Sequence, residues 1–212
     1  MAHNVLPLPG AHDLLELDVN RFLTTSMPVP DWVKHTLLDV PFAVCRRSPA
    51  LGRRIAIGVR GVERDQRWPG TCLSRTIISV TSPQDLSNKI AKATRVAEIP
   101  ALQSFELLKD LWGACDISWV PTGSVGFELA TGRFTATRRS DLDVVIQAPI
   151  LFSKELARSL CEATIGFPSK LDVRVETPVS GFSLQEYAST SRILLRLPQG
   201  SRLGTDPWNI ST

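Results

Sequence analysis

No part of the chain is apolar over the roughly 18 residues that a membrane-crossing helix needs, so a membrane protein is not expected. The opening Met1-Ala2-His3-Asn4-Val5 lacks a basic stretch followed by an apolar one, and no signal peptide is expected. Histidine is scarce, and His3, His12 and His35 all fall in the first segment. Cys45, Cys72, Cys115 and Cys161 are widely spaced and form no Cys-x-x-Cys pair. A zinc site is therefore not expected. The cysteines read instead as buried, reduced thiols of a cytoplasmic protein. Internal repeats and low-complexity tracts are also absent.

Lysine is missing from residues 46–75, yet the segment is strongly basic. Arg46, Arg47, Arg53, Arg54, Arg60, Arg64, Arg67 and Arg75 face only Glu63 and Asp65, a net +6 against +3 for the whole chain. A solvated surface accounts for many such runs. Arginine to the exclusion of lysine favours an anionic ligand or partner, because the planar guanidinium matches phosphate and carboxylate. Arg60, Arg64 and Arg67, spaced around Gly61, are the candidates for one shared anion.

What is present suffices for folding. The chain has 212 residues, 43% of them hydrophobic, enough for one large or two small domains. Period and punctuation predict a helix from Asp31, as its cap, to Leu38, and strands at 42–47, 54–60 and 75–81. Helices follow at 85–97 and from Pro100 to Ala114, the second with a stripe of Leu102, Phe105, Leu108, Leu111 and Trp112. Beyond these the pattern alternates: strand 118–121, helix 125–131 stopped by Gly132, strand 141–147, and a helix capped by Ser153. Strand 170–176, a Ser183-x-x-Glu186 capping box and strand 193–197 complete it. The expected fold is α+β or α/β. A small Arg-rich α+β domain over 1–85 precedes a domain over 86–212 with a mixed sheet flanked by helices.

The chemistry concentrates in two motifs. Thr122-Gly123-Ser124 opens a helix, and Ser140-Asp141-Leu142-Asp143 opens an apolar strand seventeen positions later. Asp141 and Asp143 are two apart in a strand and share a face. Paired carboxylates there suit Mg²⁺, a hard cation that binds substrate phosphates through one or two carboxylates. A glycine-led helix start suits a phosphate. Asp172 opens a further strand, with Arg174 and Glu176 on its face, and completes an acid triad if that strand neighbours the first. Paired Mg²⁺ ions at such acids clamp the attacking and leaving oxygens at an α-phosphate, and the third acid is placed to accept the proton of an attacking hydroxyl. Gly123 and Ser124 are the candidates for the leaving phosphates. Arg138 and Arg139 either neutralise a triphosphate or form an exposed basic loop.

Gly123-Ser124, Thr131-Gly132 and Ser140-Asp141-Leu142-Asp143 resemble the signature of the nucleotidyltransferase superfamily. His12-Asp13-Leu14-Leu15, the Ile57-to-Gly61 segment with Arg64, Gln66 and Arg67, and Leu171-Asp172 with Glu176-Thr177-Pro178 narrow the likeness. So do Gly181-Phe182 and Glu186-Tyr187-Ala188. Together they resemble the malonate decarboxylase holo-acyl-carrier-protein synthases, which are phosphoribosyl-dephospho-CoA transferases. The resemblance implies a Mg²⁺-dependent enzyme whose donor is 2'-(5''-triphosphoribosyl)-3'-dephospho-CoA. Its acceptor would be a serine of the malonate decarboxylase acyl-carrier subunit, with pyrophosphate released; a nucleic-acid partner is not expected. Thr122 stands where the family has an aromatic residue, and Phe127-Glu128 where it has Trp-Gln. Glu128 is thereby expected to add a negative charge one turn into the phosphate-binding helix. Two other readings fit the superfamily motif alone: a nucleotidyltransferase with a small-molecule, protein or RNA acceptor, and a silent module that only binds a nucleotide or carrier.

Overall fold

The structure is a computed structural model. It describes residues 9–25, 28–49, 52–61, 63, 65–82, 85, 95–113, 115 and 117–209. Arg64, His3 and most of the helix expected at 85–97 lie outside them. The chain divides into two compact units, Met1–Pro83 and Gln84–Thr212.

The first unit runs β1 (Leu14–Leu17), α1 (Val19–Thr25), α2 (Asp31–Asp39), β2 (Phe42–Cys45), β3 (Arg54–Arg60), β4 (Arg67–Leu73) and β5 (Ile77–Thr81). The strands form one antiparallel sheet in the order β4-β3-β2-β1-β5. Alternation along β3 sends Ile57 and Val59 into the core, where they meet Leu15, Leu17, Phe22, Val33 and Leu37. Each such side chain contributes roughly 1.5–3 kcal/mol by leaving water. Asp31 does not cap α2. Pro30 holds the cap position without a side-chain bond, and Asp31 sits in the first turn, paired with Lys34 at 2.8 Å. Proline's fixed φ suits the entry to a helix, and an acid in the first turn complements the helix dipole. β4 was hidden in the sequence by Pro69-Gly70, which reads as a turn. It is an edge strand, where a missing N–H costs no ladder bond, and Gly70 leaves room for the Trp68 indole, whose Cη2 would lie 2.1 Å from a Cβ.

The second unit runs α3 (Pro100–Gly113), β6 (Trp119–Pro121), α4 (Gly123–Thr131), β7 (Leu142–Gln147), α5 (Lys154–Glu162) and β8 (Leu171–Glu176), then β9 (Gly181–Ser183), α6 (Leu184–Ser189), β10 (Ile193–Leu197) and β11 (Gly200–Gly204). The sheet order is β11-β10-β9-β8-β7-β6. Only β7 and β8 are parallel, joined by the α5 crossover; every other neighbouring pair is antiparallel. The expected mixed sheet with helices is therefore present. Val144, Ile146, Val175, Phe182, Ile193 and Leu195 turn to one face and join Leu102, Phe105, Leu108 and Trp112 of α3 in a single core. Leu111 does not belong to that stripe. It lies about 100° round the helix from Trp112 and is exposed.

The caps at 153 and 132 form as expected. The Ser153 oxygen accepts the Leu156 N–H at 3.2 Å, and Gly132 ends α4 at φ 72°. At the third cap, Ser183 accepts the Glu186 N–H at 3.4 Å, while Glu186 Oε2 reaches β10 and accepts the Leu194 N–H at 3.1 Å. Cys45 and Cys72 are buried, and burial pushes both thiols up to about 11. Cys161 is half-buried and Cys115 is exposed, so the expectation of four buried thiols fails at these two. Among the described residues no helix is long and apolar enough to cross a membrane.

Candidate active site

The site begins where β6 gives way to α4. The Thr122 N–H donates to the Asp143 carbonyl at 2.8 Å, which ties the helix entry to the middle of the acid motif. Gly123 follows at φ +58°, and a Cβ there would lie 1.8 Å from Asp143 Oδ2. Only glycine meets both demands: the left-handed backbone and a carboxylate lying directly on its α-carbon. Two motifs far apart in sequence thus form one structure, with the Asp143 side chain over the N-terminus of α4. Gly123 is exposed, whereas Ser124 is turned inward at 6% exposure.

The parallel register aligns Asp143 with Asp172. Neighbouring strands lie about 4.8 Å apart and aligned residues share a face, so these two acids stand side by side on the face opposite the core. Asp141 is exposed, just before β7 begins. Asp172 is also drawn to Arg174, whose Nη2 lies 3.4 Å from its Oδ2. Among the described residues no three His, Cys, Asp or Glu side chains stand close enough to cage a metal ion. Asp143 rests on Gly123, Asp172 leans on Arg174, and Asp141 lies beyond the strand end. The donors nonetheless fit Mg²⁺, which takes oxygen ligands and needs only one or two carboxylates beside substrate phosphates.

Arg138 and Arg139 occupy an exposed turn before Asp141. The turn is closed by Ser140 N–H to the Thr137 carbonyl at 3.0 Å and by Thr137 N–H to Ser140 Oγ at 2.9 Å. Arg60 and Arg67 belong to the first unit, where they face each other across β3 and β4, both exposed. Like charges directly opposite in a ladder are unfavourable on their own.

Glu128 does not point at the helix entry. At 8% exposure its Oε2 accepts the N–H groups of Thr135 at 2.9 Å and Ala136 at 2.8 Å and pairs with Arg95 Nη2 at 3.3 Å. Arg95 also donates to the Ala136 carbonyl at 2.6 Å, and Thr135 Oγ1 donates to the Ser124 carbonyl at 2.8 Å. The expected extra charge on a phosphate-binding helix is thus spent inside the protein, pinning the loop that leads to Asp141 onto α4. Sequence could not show this, because most of the partners are backbone groups of a loop. Arg196 was also missed, although the alternation of Ile193, Leu195 and Leu197 in β10 places it on the face opposite the core. Burial lowers the Arg196 guanidinium from its ordinary value, and the Arg174 charge lowers it further, against Glu186 and Asp172.

Residues 86–207 match the family model for the phosphoribosyl-dephospho-CoA transferase MdcG C-terminal domain, and residues 10–83 match that for the MdcG N-terminal domain. The chain belongs to the phosphoribosyl-dephospho-CoA transferase family. The family's enzyme from Pseudomonas putida (strain W619) is 32% identical over 205 residues, covering 95% of this chain and 96% of its own. The Azotobacter vinelandii transferase is 32% identical over 209 residues, with 97% of each chain covered. That of Klebsiella pneumoniae (strain 342) is 30% identical over 203 residues, covering 95% of this chain and 97% of its own. No solved structure matches the chain. The protein is a transferase, and Gly123, Ser124, Asp141, Asp143 and Asp172 all lie in the segment that matches the C-terminal model.

Proposed function

We propose that the enzyme transfers the phosphoribosyl-dephospho-CoA group from 2'-(5''-triphosphoribosyl)-3'-dephospho-CoA to a serine of the malonate decarboxylase acyl-carrier subunit. The observation that carries this reading is the Asp143 carboxylate lying on the α-carbon of Gly123, with Asp172 in register beside it. A phosphate seated at the start of α4 meets the carboxylate pair directly. The serine oxygen forms a bond to the α-phosphorus, the α–β anhydride bond breaks, and pyrophosphate leaves. Asp172 is the acid assigned to the serine proton. The backbone at Gly123 and Ser124 receives the leaving phosphates, supported by Arg138 and Arg139.

Asp141, Asp143 and Asp172 are the residues that would hold Mg²⁺. When bound, Mg²⁺ supplies charge neutralisation at the attacking and leaving oxygens. Arg60, Arg64 and Arg67 of the first unit are assigned to the acidic partner or to an anionic part of the donor. The four free thiols suit a reducing compartment, and the cytoplasm is the proposed location.

The test is intact-mass spectrometry of the carrier subunit after incubation with the donor and Mg²⁺. A single addition of the whole group, lost when the carrier serine becomes alanine, is expected. An unmodified carrier overturns the assignment of donor and acceptor.

A further inference from the structure

Among the described residues one aromatic side chain is exposed: Phe134, at 67%. Elsewhere in the second unit rings pack on rings, as Trp112 does on Trp119 and Phe182 on Trp208. Phe134 has a cation under it instead. The Arg95 guanidinium carbon lies 4.4 Å from the ring centroid, over the ring. Arg95 is itself held, by Glu128 Oε2 at 3.3 Å and by the Ala136 carbonyl at 2.6 Å. The cation therefore fixes one face of the ring, and the other face is in water. A lone apolar side chain on a surface needs no explanation. A ring set on a pinned guanidinium is different, because it is a rigid π surface oriented before anything binds.

The ring stands beside the site already described. It is carried by the loop over residues 132–140, which runs from α4 to Asp141. The next residue, Thr135, donates its Oγ1 hydroxyl to the Ser124 carbonyl at 2.8 Å, in the first turn of α4. Glu128, which holds Arg95, is four residues further along that helix, about 6 Å. Arg133, Arg138 and Arg139 of the same loop are exposed. The loop thus presents one flat apolar face among cations, next to the helix start assigned to phosphates. A nucleobase attached to phosphates matches both features: its face stacks on an aromatic ring, and its phosphates meet arginine. A cation behind the ring draws electron density from it, which favours an electron-rich purine on the open side. In the proposed donor the triphosphate sits on a ribose joined to the 2'-oxygen of the adenosine, so the adenine lies two sugars from the reacting phosphorus. We infer that Phe134, backed by Arg95, is the platform on which the adenine of the donor stacks. This assignment rests on the donor proposed above.

The experiment compares a ligand that has the base with one that lacks it. Dephospho-CoA and inorganic triphosphate are titrated into the full chain by calorimetry, with wild type, Phe134→Ala, Phe134→Leu and Phe134→Trp compared. Phe134→Ala is expected to weaken dephospho-CoA by about tenfold or more. Leu keeps apolar bulk without a π face and is expected to lose nearly as much, whereas Trp is expected to stay within about twofold of wild type. Triphosphate affinity is expected to hold within about twofold throughout. The side chain is exposed, so all three variants are expected to fold, and melting curves check this. Unchanged dephospho-CoA affinity in Phe134→Ala overturns the platform, as does full rescue by Leu, an equal loss for triphosphate, or a wild type that does not bind dephospho-CoA. So does a rise in the KM for the carrier alone, which makes Phe134 a protein contact. An active transferase with unchanged dephospho-CoA affinity in Phe134→Ala overturns the platform alone, whereas an unmodified carrier with wild type overturns the functional reading itself.

Discussion

The two units solve the same packing problem and differ in one strand pairing. Each has an apolar side of its sheet packed into a core with helices. In the first unit every strand is antiparallel, and its in-register charged pair is Arg60 with Arg67. In the second, a single parallel pair brings the first turns of two strands together, and there Asp143 meets Asp172. Both strands of a parallel pair start at the same end of the sheet, so strand-opening residues from distant parts of the chain collect there. One unit therefore gathers cations and the other gathers acids beside a helix N-terminus. The proposed division of labour puts recognition in the first unit and chemistry in the second.

The largest effect that tests this division is at the acids. Asp143→Asn or Asp141→Asn is expected to reduce transfer by more than about a thousandfold. Both side chains are at least partly exposed, so the melting temperature should hardly move. Near-normal turnover in either variant with Mg²⁺ saturating removes that residue from the site. Gly123→Ala comes next. The methyl would collide with Asp143 and impose a left-handed alanine, at about 1–2 kcal/mol for the backbone alone. Displacing the carboxylate by an ångström is expected to cost transfer about a hundredfold. A rate assay and a melting curve together separate the two losses.

Glu128 sharpens the second unit's side of the comparison, because it acts on the scaffold. Glu128→Leu leaves the Thr135 and Ala136 N–H groups without their acceptor and the Arg95 guanidinium without its carboxylate, holding only the Ala136 carbonyl. Denaturant titration should show a loss on the order of 3–5 kcal/mol. Glu128→Gln keeps an oxygen acceptor and should lose well under half of that. Equal stability of Glu128→Leu and wild type contradicts the loop-pinning role. In the first unit, replacing Arg60, Arg64 and Arg67 with Gln should raise the KM for the carrier by about tenfold or less. That effect should fade with added salt, since steering by exposed charge is screened. A triple variant that behaves like wild type at low salt makes the cluster a solvated surface only. The smallest effect concerns pH. Burial keeps Cys45 and Cys72 protonated up to about 11, whereas an unfolded thiol ionises from 9.0. Their contribution to stability is whole below pH 9 and is lost as pH rises towards 11, which thermal melts across that range measure against a Cys45→Ala, Cys72→Ala control.

Much of the second unit was legible because its signals are local. Gly132 stops a helix, Ser153 caps one, and the acids open apolar strands, each read from a few adjacent residues. The meeting of Asp143 with Asp172 was legible only as a condition, since register between strands is set by the crossover between them and by the core face they share. Four strands were not read. β4 carries proline and glycine; β9 has three residues; β1 and β11 are short and lack a clean alternation. Glu128 and Arg95 were illegible for a different reason: their partners include main-chain groups, which leave no mark in the side-chain pattern.

The most direct test of the central claim is a competition. The carrier subunit is incubated with the enzyme, Mg²⁺, and equal concentrations of ATP and the triphosphoribosyl-dephospho-CoA donor, and its intact mass is followed together with pyrophosphate release. The account predicts that the whole phosphoribosyl-dephospho-CoA group is added once, with one pyrophosphate per carrier modified, and that Asp143→Asn abolishes both signals. A carrier bearing only the nucleotide from ATP, or an Asp143→Asn enzyme that still modifies it, would contradict the account.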